Sequence, residues 1–169
     1  MIRALALFAA VAALALGCGA VAPTPASVTV QSAAADGMTS EPLTGSSTLT
    51  AGAQGGFHVW VSLRLKGVKP GPVRVKHTIR RAQDGVLFST AERTLEVGPA
   101  AADGTWEALP AWPAFMCPSP VGLNVIGVPT VIKLEVTTMD GAPIASGASN
   151  TTFACPAAQS DFCVRICSG

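Results

Sequence analysis

The chain has no tyrosine, only two histidines and a charged share of 12% in 169 residues. Histidine is the only side chain that titrates near neutral pH without help from its surroundings, so groups for general acid–base catalysis are scarce. The sequence also lacks Gly-x-Ser-x-Gly, His-Glu-x-x-His, a phosphate-binding loop and paired carboxylates at catalytic spacing. These absences favour a protein that is not an enzyme and holds no cofactor.

Charge and hydropathy exclude two further classes. Eleven Lys and Arg residues oppose ten Asp and Glu residues, and removal of an N-terminal leader containing Arg3 leaves ten against ten. A chain whose charges balance in this way is not expected to bind nucleic acid. Beyond residue 18, no apolar run approaches the roughly 18 residues that a membrane-spanning helix needs.

The N-terminus is laid out as an export signal. Arg3 gives a positive start, residues 4–16 are uncharged and apolar, and Gly17-Cys18 follows. This segment resembles a bacterial lipoprotein leader, in which signal peptidase II cuts before a cysteine that carries a diacylglycerol. The resemblance implies a signal peptide over residues 1–17, a lipid on Cys18 and attachment to the bacterial cell envelope, with the outer membrane favoured over the inner.

The match to that leader is imperfect, because the preferred Leu is displaced to Leu14. The alternative is a signal peptide cut after Ala20 or Ala22, which would leave no lipid.

Four cysteines remain in an exported chain: Cys117, Cys155, Cys163 and Cys167. An even number in an oxidising compartment predicts two disulfides, and three connectivities are possible. We favour Cys117 with Cys155 and Cys163 with Cys167. A metal site formed by these cysteines is the alternative, although the spacing lacks CxxC and no histidine is near in sequence.

Residues 18–54 are rich in Ala, Thr, Ser, Gly and Pro, with Asp36 and Glu41 as their only charges. Such a composition buries too little apolar surface to offset the entropy of ordering, which predicts a flexible tether between lipid and domain. Residues 26–31 alternate weakly, so an edge strand is possible there.

The clearest strand covers residues 57–66, where Phe57 and every second residue after it are apolar. From residue 55 to 155, turn signals recur about every 8 to 12 residues and separate about seven strands. The pattern resembles an immunoglobulin-like or fibronectin III-like domain and implies an all-β sandwich. Residues 156–169 form a cysteine-containing tail. The strands on either side of residues 69–72 are expected to form a hairpin.

The non-apolar face of the 57–66 strand and the strand after it hold the candidate binding residues: His58, Trp60, Arg64, Lys66, Arg74 and Lys76. An aromatic ring beside an imidazole can receive a partner's side chain, whereas a loop containing Trp106 or Trp112 would instead cover Trp60. The basic residues could rest on anionic lipid or an anionic envelope polymer, or Glu92 and Glu96 could pair with them across the sheet.

These observations predict a non-enzymatic, lipid-anchored envelope protein whose β-sandwich binds or scaffolds an unknown partner. That partner would be another envelope protein or an anionic envelope polymer. The alternative is a small periplasmic metal-binding or redox protein that uses Cys163 and Cys167.

Overall fold

A computed structural model describes residues 24–169, so the predicted signal peptide and Cys18 lie outside the described residues. No helix within residues 24–169 has the length and apolar character needed to cross a membrane. The elements are β1 Ser27–Ala33, β2 Ser40–Pro42, β3 Ser46–Thr48, β4 Thr50–Ala51, β5 Phe57–Lys66, β6 Gly71–Arg81, β7 Leu87–Val97, β8 Thr105–Glu107, β9 Trp112–Cys117, β10 Thr130–Thr137, β11 Pro143–Ala154, a 3-10 helix Ala157–Gln159 and α1 Ser160–Cys167.

These strands form two sheets. In the first, β2, β1 and β5 lie side by side, and β4, β8 and β9 also pair with β5. The second has the order β3-β11-β10-β6-β7, with all pairs antiparallel except β3 with β11. The predicted all-β architecture in two sheets is confirmed. Within residues 24–169 the strands number eleven rather than about seven.

The core lies between the sheets and follows the alternation of the sequence. Phe57 and the four apolar residues that alternate with it along β5 are each at most 1% exposed. On β6 and β10 the inward residues, among them Val75, Ile79 and Leu134, are buried in the same way. Because side chains alternate across a strand, the outward residues of β5 and β6 lie on opposite sides of the molecule.

The structure differs from the predicted tether of residues 18–54, because β1 is an interior strand. It pairs with β5 from Ser27 opposite Lys66 to Gln31 opposite Ser62, and β2 pairs with its other edge at Gln31–Ala33. Val28 and Val30 are buried in the core. The weak alternation of residues 26–31 indicated this strand, whereas the composition of the whole stretch did not, and pairing with a strand 35 residues away orders it.

The predicted hairpin between β5 and β6 is wrong. The two strands belong to different sheets, and residues 67–70 carry the chain from one sheet to the other. The hairpin partner of β6 is β7, through the turn at Asp84-Gly85. The turn signal at residues 69–72 was real, but a turn does not specify whether the next strand pairs or crosses.

The C-terminal tail is folded against the sandwich. Two disulfides join the four cysteines, as predicted, but they are Cys117–Cys167 and Cys155–Cys163. The predicted pairing is wrong because α1 packs against the sandwich and places the buried sulfurs of Cys163 and Cys167 each next to a cysteine at the end of a strand. Cys167 bonds to Cys117 at the end of β9, and Cys163 bonds to Cys155, the residue after β11.

We expect Val30→Ala to lower the free energy of unfolding by roughly 2 kcal/mol, since it removes two buried methyl groups and leaves a cavity. The matched control is Thr29→Ala on the exposed face of β1, which should stay within about 0.5 kcal/mol. Urea unfolding of both variants measures the difference. Equal, small effects would mean that residues 27–33 are a tether after all.

Candidate binding cleft

A cleft of ≈ 560 Å³ opens where β5 begins. It lies between the loop of residues 52–56, the first residues of β5 and the outward residues of β9. Its walls include Gln54, His58, Phe88, Pro113, Phe115 and Pro118. Of the predicted binding residues, only His58 contributes to this cleft.

His58 is 6% exposed, although the alternation of β5 places it outward. Its ring lies edge-on to Trp60, with centroids 4.6 Å apart, and 6.0 Å from the ring of Phe115. Neither ring nitrogen has a hydrogen-bond partner among the described residues. Burial lowers the pKa of His58, so the imidazole is neutral at pH 7.

The most exposed ring of the cleft belongs to Phe115, which is 67% exposed and lies opposite His58 in the β5–β9 register. The sequence analysis did not identify this residue, because four prolines within residues 110–120 are untypical of a paired strand. The usable signal was alternation: Trp112, Ala114 and Met116 are buried, whereas Pro113 and Phe115 point outward. Pro113 is compatible with a strand here at the sheet's margin.

Trp60 is covered by residues 34–39. Its Nε1–H donates to the carbonyl oxygen of Ala35 at 3.1 Å. The ring packs so closely on Gly37 that a Cβ there would lie 3.2 Å from it. Trp60 is therefore a packing residue held by a loop, but the covering loop comes from the predicted tether rather than from Trp106 or Trp112.

Trp112 instead joins the two sheets. Its Nε1–H donates to Nδ1 of His77 on β6 at 3.2 Å, and the Arg93 guanidinium lies 4.9 Å from the indole centroid. His77 is 3% exposed, because the alternation of β6 places it on the inward face. Burial, followed by the charge of Arg93, lowers the pKa of His77 and keeps it the neutral acceptor that this bond requires.

The predicted basic residues do not form one surface. Arg64 pairs with Glu107 on β8, and Lys66 is exposed at the end of β5. Arg74 and Lys76 lie on the outer face of the other sheet. There Lys76 is flanked by Glu92 on β7 and Glu135 on β10, opposite it in register. Carboxylates interleaved with the cations make this a mixed polar face, although neither Glu92 nor Glu96 forms a salt bridge among the described residues.

The described part of the chain offers few ligands for a metal ion. All four cysteines there are joined in disulfides, so they offer no thiolate ligand. Residues 24–169 contain no group of three or more His, Cys, Asp or Glu side chains placed to hold an ion.

No protein-family model and no curated protein matches the chain. Among solved structures, a Bacteroides uniformis β-glucuronidase is similar with a TM-score of 0.37 and 16% identity, over 57% of this chain and 12% of that chain. A Mobiluncus mulieris adhesin with intramolecular disulfide, isopeptide and ester cross-links is similar in two crystal forms. The TM-scores are 0.47 and 0.46, with 11% and 10% identity, over 75% and 77% of this chain and 57% and 58% of the adhesin chain.

This chain therefore spans less than two thirds of the length of these solved structures. At these scores the similarities carry no information on function, which has to be argued from the cleft itself.

We expect the free energy of unfolding to be constant above about pH 6.5 and to fall as the pH drops below it. The unfolded chain then protonates His77, whereas the lowered pKa keeps the folded imidazole neutral. Urea unfolding between pH 7.5 and 5 measures this slope. His77→Gln should reduce the slope, leaving the part due to His58. An unchanged slope in the variant would contradict the role given to His77.

Proposed function

We propose that this chain is a non-enzymatic, lipid-anchored protein of the bacterial cell envelope that binds a partner protein in the cleft beside His58. The observation that carries the proposal is an exposed Phe115 ring next to a buried imidazole without hydrogen-bond partners. Single exposed apolar side chains are common on protein surfaces, but Phe115 lines one cleft together with Phe88 and prolines, and grouped apolar surface of this kind marks interaction sites. Aromatic residues are also enriched among the contacts that dominate binding energy.

The lining favours a protein partner over an anionic polymer. Phenylalanine and proline side chains dominate the walls, and no Lys or Arg is among the residues that line the cleft. An apolar side chain of a partner would bury surface against Phe115 and Phe88. A polyanion would lose its hydration there without meeting a cation.

The same lining favours binding over catalysis. Among residues 24–169, His58 is the only lining side chain that titrates, since Cys117 is disulfide-bonded. A single neutral imidazole has no carboxylate, hydroxyl or second imidazole around the cleft to act with it. Its unmet hydrogen-bonding capacity instead suits a polar group on the bound partner.

Lipid attachment at Cys18 is supported by the leader. Each buried CH₂ contributes about 0.8 kcal/mol to membrane binding, so two or more acyl chains give lasting attachment where one does not. Globomycin, which blocks signal peptidase II, should leave the unprocessed chain. Without it, the intact mass of the mature protein should show an N-terminal diacylglyceryl-Cys18. An unmodified terminus at residue 21 or 23 would contradict the anchor.

Phe115→Ala should reduce partner capture by about 10-fold or more, the loss expected for a residue that carries at least 1.4 kcal/mol of binding. Leu109→Ala is the control, because Leu109 is also exposed but does not line the cleft. Crosslinking in intact envelopes, followed by quantitative mass spectrometry, compares the captured proteins. Both variants should unfold like the parent chain. Equal capture by the two variants would overturn the cleft as the binding site.

A further inference from the structure

The chain enters the sandwich at one particular end. Residue Ser27 pairs with Lys66, the last residue of β5, and the Thr24 carbonyl oxygen lies against Gly67. A Cβ on Gly67 would come within 2.7 Å of that oxygen, and the glycine has φ 68°, so only glycine permits this approach. The start of the described chain is thereby fixed beside the loop of residues 67–70.

We call this the entry end, and it is formed by the loops of residues 67–70, 98–104 and 138–142. The first loop follows β5. The second leads into β8, whose Thr105 pairs with Lys66 at the end of β5. The third follows β10, whose last residue, Thr137, lies opposite Arg74 near the start of β6. The cleft, the 52–56 loop and α1 lie at the opposite end, where Phe57 begins β5.

Two lengths decide how the domain can stand on a membrane. Cys18 and Thr24 are six residues apart, a stretch that reaches at most about 22 Å. Residues Phe57 to Lys66 of β5 separate the cleft from the entry end by about 30 Å. A lipid at Cys18 therefore keeps the entry end within about 22 Å of the headgroups and prevents the domain from standing on its cleft end. A 37-residue tether, as the sequence predicted, would have allowed every orientation.

The charge of the entry end does not by itself bind a membrane. Lys66 and Lys69 are exposed and take part in no salt bridge among residues 24–169. Asp103 and Asp140 lie at the same end, each accepting a hydrogen bond from a nearby threonine hydroxyl. Since opposite charges balance there, the covalent tether rather than electrostatic attraction sets the orientation.

We infer that the lipidated chain stands with its entry end against the lipid headgroups and presents the cleft away from the membrane. This inference rests on the proposed lipid anchor at Cys18. It deepens the proposed function, because the partner would then approach from the side remote from the anchoring membrane. A partner lying flat in the same headgroup layer would not reach the cleft.

Three natural methionines report the orientation without new side chains. Met139 lies in the 138–142 loop and is 40% exposed, whereas Met38 belongs to the loop that covers Trp60 and is 59% exposed. Met116 on β9 is buried near the cleft. The lipidated full chain, labelled with ¹³C at the methionine methyls, is placed in nanodiscs of phosphatidylethanolamine and phosphatidylglycerol that contain gadolinium-chelating lipid headgroups.

We expect the relaxation enhancement of the Met139 methyl to exceed that of Met38 and Met116 by at least 10-fold, because the effect falls with the sixth power of distance. Single Met→Leu variants assign the signals, and a diamagnetic lutetium chelate gives the reference. The Cys18→Ser mature chain with the same nanodiscs should show no enhancement. Strong enhancement in that control would mean that surface charge, not the tether, holds the entry end to lipid.

Equal enhancement at Met139 and Met38, or a larger one at Met38, would overturn the orientation. The intact mass of the purified chain is measured first and reports the lipid separately. A chain without diacylglyceryl on Cys18 would overturn the proposed anchor, whereas a lipidated chain with Met38 nearest the headgroups would overturn this inference alone.

Discussion

The pairing of β5 is the constraint on which the molecule depends. Four strands pair with β5: β1 and β8 pair with its last residues, and β4 and β9 pair with its first. Its apolar residues fill the space between the sheets, so a slip of one residue would move all five of them out of the core. The same register places His58 opposite Phe115 and brings Ser27 to the end of the strand. Cleft and chain entry are thus fixed by one set of hydrogen bonds.

The sequence was informative wherever a strand is buried on one face and polar on the other. β5, β6 and β10 have that pattern, and their inward residues are those the alternation indicates. It was uninformative where pairing between segments distant in sequence determines the structure. β1 has the composition of a linker and becomes a strand only because β5 offers an edge to it. The crossover at residues 67–70 and the disulfide partners likewise depend on the folded arrangement, which local spacing does not contain.

For the candidate site too, the sequence indicated some features and could not indicate those that depend on long-range packing. The alternation of β5 predicted that His58 lies on the outward face. Its burial could not be predicted, because the residues that cover it come from distant parts of the chain. Phe115 was hidden by prolines that would exclude a central strand yet are compatible with one at a sheet margin. The basic residues seemed continuous because they are close in sequence. Because the chain crosses from one sheet to the other between them, Arg64 and Arg74 lie on opposite outer faces of the sandwich.

The disulfides complete this arrangement by acting at the end remote from the chain entry. Cys117–Cys167 closes a loop of 50 residues, and the chain-entropy model gives about 4 kcal/mol for a loop of that length. Cys117 also lines the cleft, so the bond that holds α1 to β9 holds one cleft wall as well. A wall fixed in this way loses little conformational freedom when a partner binds, which lowers the cost of association. The entry end carries no such crosslink among the described residues, and under the proposed lipid anchor the six residues from Cys18 to Thr24 would limit its position instead.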